Sequence, residues 1–201
     1  MIRVLVAEDQ AMVRGALKAL LALEEDIAVV AEVARGDEVV PAAARSAPDV
    51  ALLDIEMPGL DGIAAAAALR AELPRCRSLI LTTFGRPGFL RRAMEAGAAG
   101  FLLKDAPPEQ LALAIRRTAA GERVVDPGLA AAALSEGMSP LTERERQVLA
   151  ATDRGADITE IARTLFLSNG TVRNHLSAAI QKLGARNRSE AARIAEQKGW
   201  L

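Results

Sequence analysis

The chain holds one cysteine, one histidine, one tryptophan and no tyrosine in 201 residues, and aromatic side chains make up 2% of it. A lone Cys76 excludes an internal disulfide. With no thiol partner or nearby histidine, it reads as a packed or surface residue rather than a nucleophile. His175 is the sole histidine, which removes histidine-based metal clusters and, from the N-terminal part, Ser/His/Asp hydrolysis. So few aromatic platforms argue against stacking on single-stranded nucleic acid. No apolar stretch runs without charge for the roughly 20 residues that a bilayer span needs, and Met1-Ile2-Arg3 leads into a strand rather than a signal peptide. The expectation is a cytoplasmic protein without direct membrane insertion.

What is present is apolar: 51% of the residues are hydrophobic, enough for two compact domains. Strand-like runs at Ile2–Ala7, Ile27–Val33, Asp49–Leu53, Arg77–Thr82 and Ala99–Leu103 alternate with helical segments. These lie near Gln10–Leu23, Asp37–Ser46, Gly62–Glu72, Pro87–Ala96 and Pro107–Ala119. Five βα units with short, right-handed connections predict an α/β fold. Its form is a flavodoxin-like, doubly wound, five-stranded parallel sheet in the order 2-1-3-4-5. The alternation stops after Ala119. Residues 120–139, with Gly121, Pro127, Gly128 and Gly137, read as a linker carrying a short helix at Leu129–Leu134, so the predicted domains are 1–119 and 140–201.

The second, smaller domain is all-α with four helices. Thr142 with Glu145, and Asp157 with Glu160, fit capping boxes, and Ser168 can cap a third helix. Only a tight turn separates Leu165 from Ser168. Two short helices joined that way form a helix-turn-helix, whose second helix enters the DNA major groove. The formal charge of −1 conceals an asymmetry: from Ser168 to Arg193, Arg173, Lys182, Arg186, Arg188 and Arg193 stand against Glu190 alone. Basic surface of that kind suits phosphate backbones.

In the first domain, charge appears where the apolar runs stop. Glu8 and Asp9 close the first run, Asp54 the third and Lys104 the fifth. The C-terminal strand ends of such a sheet form its functional crevice. Carboxylates crowded there need a hard cation, and Mg²⁺, which keeps several waters, suits a site with few protein ligands. The loop Glu56-Met57-Pro58-Gly59-Leu60-Asp61-Gly62 after Asp54 reads as a shaped wall of that pocket.

In order and spacing, Ala7-Glu8-Asp9, Leu53-Asp54-Ile55-Glu56-Met57-Pro58-Gly59, Leu81-Thr82-Thr83 and Gly100-Phe101-Leu102-Leu103-Lys104 resemble a CheY-like receiver. Leu141-Thr142-Glu143-Arg144-Glu145 and Gly170-Thr171-Val172-Arg173-Asn174-His175 resemble the LuxR-type helix-turn-helix output of NarL/FixJ response regulators. The resemblance implies that Asp54 accepts a phosphoryl group from a sensor histidine kinase, with Mg²⁺ held by Asp9, Asp54 and the backbone carbonyl of Glu56, and Glu8 reaching the ion through water. It implies that Lys104 pairs with the acids and then with the phosphoryl oxygens, and that Thr82, rather than its rival Thr83, is the switch hydroxyl. Phe101 stands at the aromatic switch position without a phenolic hydroxyl, and a plain core aromatic is the alternative reading.

In the output domain, Arg173, Asn174 and Ser177 share a helix face as base readers, with Thr171, Lys182 and Arg186 as clamps on the DNA backbone. Arg188 reads equally as a salt-bridge or cap residue, and His175 as a packing or phosphate-touching one. The implied partners are double-stranded promoter DNA at paired half-sites, RNA polymerase, and a second copy of the chain on phosphorylation. The chemistry is done to the protein itself, with no turnover. One rival is a metal-dependent phosphatase with an aspartyl nucleophile, which wants a second Asp where Glu56 stands. A flavin-phosphate binder is the other, and it lacks a serine/threonine-rich loop after the first strand.

Overall fold

The computed structural model describes residues 1–83, 85–135, 139–153 and 155–201. The chain divides into two compact units. One comprises residues 1–85 and 90–131, the other residues 86–89 and 132–201.

The first unit is a parallel sheet flanked by helices. Its strands are β1 (Ile2–Ala7), β2 (Ile27–Val33), β3 (Val50–Asp54), β4 (Arg77–Thr82), β5 (Gly100–Leu103) and β6 (Val124–Val125), in the order β2-β1-β3-β4-β5-β6. The central strands are buried on both faces, and every residue of β3 is enclosed. This is why their sequences run apolar without alternation. The helices are α1 (Ala11–Leu21), α2 (Val39–Ser46) after a single 3₁₀ turn at Gly36–Glu38, α3 (Gly62–Glu72), α4 (Pro87–Ala96) and α5 (Pro108–Ala119). Asp61 caps α3 by accepting the Ala64 N–H, and its neighbour Gly62 starts the helix. One core cluster joins Val4, Val6, Val50, Leu52, Leu79 and Leu81 of the sheet to Leu17 and Leu21 of α1 and to Leu111 and Ile115 of α5.

The sheet exceeds the expected five strands. The segment read as linker contributes β6, which pairs in parallel with β5 through Gly100↔Val124 and Phe101↔Val125. Two residues are too few to carry a periodicity, and Asp126-Pro127-Gly128 beside them reads as a turn. The short helix expected at Leu129–Leu134 is α6 (Pro127–Ser135).

The second unit holds α7 (Glu143–Asp153), α8 (Ile158–Thr164), α9 (Asn169–Lys182) and α10 (Arg188–Gln197). Its own core gathers Val148 and Leu149 of α7, Ile161 and Ala162 of α8, Val172, Leu176 and Ala179 of α9, and Ala191, Ala192 and Ala195 of α10. Both expected capping boxes form. Thr142 and Glu145 exchange bonds of 2.7 and 3.3 Å at the start of α7, and Asp157 and Glu160 do the same at α8. Ser168 caps α9 and Asn187 caps α10.

Candidate functional site

The sheet register assembles the acid cluster. Ala7 pairs with Leu53, Asp54 with Leu81 and Thr82 with Leu103, so Glu8, Asp9, Asp54, Thr82 and Lys104 emerge along one edge. Carboxylate oxygens of Glu8, Asp9 and Asp54 lie within 4.8 Å of one another. Nζ of Lys104 stands 2.7 Å from Oε2 of Glu8 and 3.1 Å from Oδ1 of Asp54. Glu8 and Asp54 are buried whereas Asp9 is exposed, so the cluster opens to solvent on the Asp9 side.

Burial pushes the Asp54 carboxyl up to about 6. Lys104 and the Ile55 N–H, which donates at 2.9 Å, pull it back, while Glu8 adds to the rise. Burial alone would lower the Lys104 ammonium, but its hydrogen bonds to Glu8 and Asp54 hold it above its ordinary value. One ammonium leaves three convergent carboxylates short of positive charge. Hard oxygen donors with one solvent-facing member fit a small divalent cation that retains waters. The Glu56 side chain is exposed and outside this carboxylate group.

The loop after Asp54 is built from its own backbone. Met57 and Gly62 N–H groups donate to the Ile55 carbonyl, and Leu60 donates to Pro58. Pro58 also accepts from Gly36 at 3.1 Å, which seats the loop on the 3₁₀ turn before α2. Gly59 has φ of +83°. A Cβ on Gly62 would overlap the carbonyl oxygen of Asp54 itself, so only glycine lets the loop close this tightly.

Thr82, the last residue of β4, is buried, whereas Thr83 lies beyond the strand and is exposed. Phe101 is fully enclosed. That placement is the one both readings of Phe101 require, the inward state of a switch and a plain core aromatic. Arg14, which no sequence pattern marked, donates from Nη1 to the backbone carbonyls of Glu8 at 2.5 Å and Asp9 at 3.4 Å, pinning the acidic turn to α1. Cys76 is buried and its thiol is pushed up to about 11 by burial, with Asp49 adding, which leaves it a poor nucleophile.

In the second unit, Arg173, Asn174 and Ser177 lie exposed on α9, opposite its buried Val172, Leu176 and Ala179. Among the described residues none of these three side chains has a hydrogen bond or ion pair. The three expected backbone clamps are all engaged. The Thr171 hydroxyl and N–H both meet the Ser168 hydroxyl. Lys182 pairs with Glu145 at 2.7 and 2.9 Å. Arg186 pairs with Glu190 at 2.9 and 3.0 Å. Arg188 has no ion pair among the described residues, and His175 is half-buried. In the turn between α8 and α9, Phe166 has φ of +55° and is almost wholly exposed.

A receiver-like sheet with an acid cluster, followed by a helix-turn-helix, defines a signal-responsive DNA-binding protein. Residues 4–116 match the family described as response regulator receiver domain, and residues 139–195 the family described as bacterial regulatory proteins, luxR family. The chain belongs to the two-component response regulators with a LuxR-type DNA-binding domain. It is 46% identical to the uncharacterized transcriptional regulatory protein YvfU of Bacillus subtilis and 45% identical to the transcriptional regulatory protein DesR of the same organism. Each alignment covers all of both chains. Among solved structures it resembles response regulator ChrA of a heme-sensing two-component system, at 36% identity and a TM-score of 0.59, covering 100% of this chain and 98% of that one. Among the described residues, no helix is long and apolar enough to cross a membrane.

Proposed function

We propose that Asp54 takes a phosphoryl group from a phosphohistidine of a partner sensor histidine kinase, and that the modified protein dimerises and binds paired promoter half-sites to recruit or hinder RNA polymerase. The observation that carries this reading is the buried Asp54 carboxylate, bracketed by Glu8, Asp9 and the Lys104 ammonium at the strand ends.

A carboxylate oxygen of Asp54 attacks phosphorus in line with the phosphorus–nitrogen bond, which breaks and leaves its electron pair on the imidazole. Asp9, Asp54 and the Glu56 carbonyl would hold Mg²⁺, with Glu8 reaching it through water, and the ion would neutralise the charge that builds up. Lys104 exchanges its carboxylate partners for phosphoryl oxygens, and the Thr82 hydroxyl donates to another. Arg173, Asn174 and Ser177 then read base edges in the major groove, where arginine suits guanine and asparagine adenine. The chain modifies itself once and turns over no substrate. The position two residues after Asp54 holds an exposed glutamate rather than the second aspartate that a phosphatase of this type needs.

The test is labelling by acetyl phosphate, which leaves acetate and is read by mass spectrometry, together with footprinting on the upstream DNA of the protein's own gene after treatment with acetyl phosphate or beryllofluoride. Asp54 is expected to be labelled only with Mg²⁺ present, and protection to strengthen on labelling. Full labelling of Asp54→Asn, or labelling without a divalent cation, overturns the assignment.

A further inference from the structure

We infer that Lys182 and Glu145 are positioning residues: their ion pair fixes the rotation and register of the recognition helix, and Lys182 makes no phosphate contact. This rests on the reading of α9 as the helix that enters DNA. Lys182 is the last residue of α9 and Glu145 sits in the first turn of α7.

The Glu145 carboxylate is buried and takes three bonds. Oε2 accepts the Thr142 N–H at 2.7 Å and the Lys182 ammonium at 2.7 Å, and Oε1 accepts the same ammonium at 2.9 Å. If Lys182 turned to a phosphate, Glu145 would be left as a buried carboxylate with only backbone and hydroxyl partners, a strongly disfavoured state. The ammonium therefore stays.

Apolar contacts such as Val172, Leu176 and Ala179 against Val148 and Leu149 set how close the helices lie, but they tolerate small rotations. A doubly hydrogen-bonded ion pair has one geometry. The same turn of α7 also reaches the entrance to α9, where Nη2 of Arg144 donates to the Leu165 carbonyl at 3.3 Å. Arg173, Asn174 and Ser177 can meet base edges only if α9 is held in one orientation, and an ion pair anchored on the enclosed Glu145 carboxylate gives the end of α9 such a fixed attachment to α7.

The experiment measures full-length, beryllofluoride-treated protein on a duplex carrying the footprinted site and on a random duplex of equal length, at several salt concentrations. Trp200, the single tryptophan, packs in the second unit and reports its folding. The double variant Glu145→Gln/Lys182→Met removes both charges and is expected to melt near the parent. Its ratio of specific to random affinity should fall by about tenfold or more, within the range by which specific and random affinities differ, while the slope of log K against log salt stays unchanged. Lys182→Arg should keep the ratio.

A slope shallower by about 0.9, with both affinities falling together, makes Lys182 a phosphate contact and overturns the inference. A folded double variant with the parental ratio overturns it equally. Should the double variant not fold, Glu145→Gln decides. Removing a negative charge would by itself strengthen binding to any duplex, so a reduced ratio supports positioning and an unreduced one refutes it. A parent protein that binds neither duplex would instead sink the DNA-binding reading.

Discussion

At the scale of single residues, the strand-end crevice around Asp54 is shaped by two contacts that act differently. Thr82 is buried at the end of β4 with its carbonyl bonded to the Lys104 N–H at 2.8 Å, so hydroxyl and ammonium are carried by neighbouring strand ends. Thr82→Ala should still be labelled at Asp54 but dimerise poorly; label incorporation and sedimentation on one sample decide it, and a normally dimeric variant removes Thr82 from the switch. Gly62→Ala tests the loop. The added methyl collides with the Asp54 backbone rather than with a flexible side chain, so a loss of about 1–3 kcal/mol in urea unfolding is expected, as for overpacked sites. The acids and Lys104 were legible in the sequence because charge ends an apolar run. Arg14 was not, since a bond to backbone carbonyls leaves no pattern in residue spacing. The pairing of Lys182 and Arg186 was equally hidden, because from sequence Glu145 serves as a capping-box acid and Glu190 as an ordinary helix-surface acid.

At the scale of elements, sequence pattern and structure agree where a segment is long enough to carry a pattern. α3 begins at Gly62 behind its Asp61 cap and α8 behind Asp157, and β1, β2 and β4 begin and end where their branched apolar runs do. The misjudged elements were those too short to show a period, namely the 3₁₀ turn before α2 and β6. The start of α7 carries a pH prediction. Burial would raise the Glu145 carboxyl, but Lys182 and Thr142 outweigh it and hold it below its ordinary value of 4.5. A carboxyl depressed in the folded state contributes stability that is complete above its unfolded value and lost as pH falls through the folded one. The Trp200 melting transition should therefore drop more steeply between about pH 6 and about pH 3 in the parent than in Glu145→Gln/Lys182→Met. Parallel curves would mean that the pair does not stabilise the fold through its charge.

On the scale of the whole molecule, two units with separate cores account for the two family matches. Beryllofluoride should shift the full-length protein from monomer towards dimer in sedimentation, and a population change from mostly inactive to mostly active requires about 5 kcal/mol of differential stabilisation. An unchanged sedimentation profile on fully labelled protein contradicts control by dimerisation. The limit drawn from sequence at residue 119 stops short of Val124 and Val125, which cover the outer edge of β5. A sheet edge left bare offers a row of unpaired backbone groups to other chains, and loss of β6 would extend that edge back through Gly100 and Phe101, along an apolar strand without a gatekeeping charge until Lys104. A fragment ending at residue 119 should consequently scatter light and precipitate on standing, whereas one ending at residue 131 stays clear. β6 is in that sense the protein's guard against adding itself, strand by strand, to its neighbours.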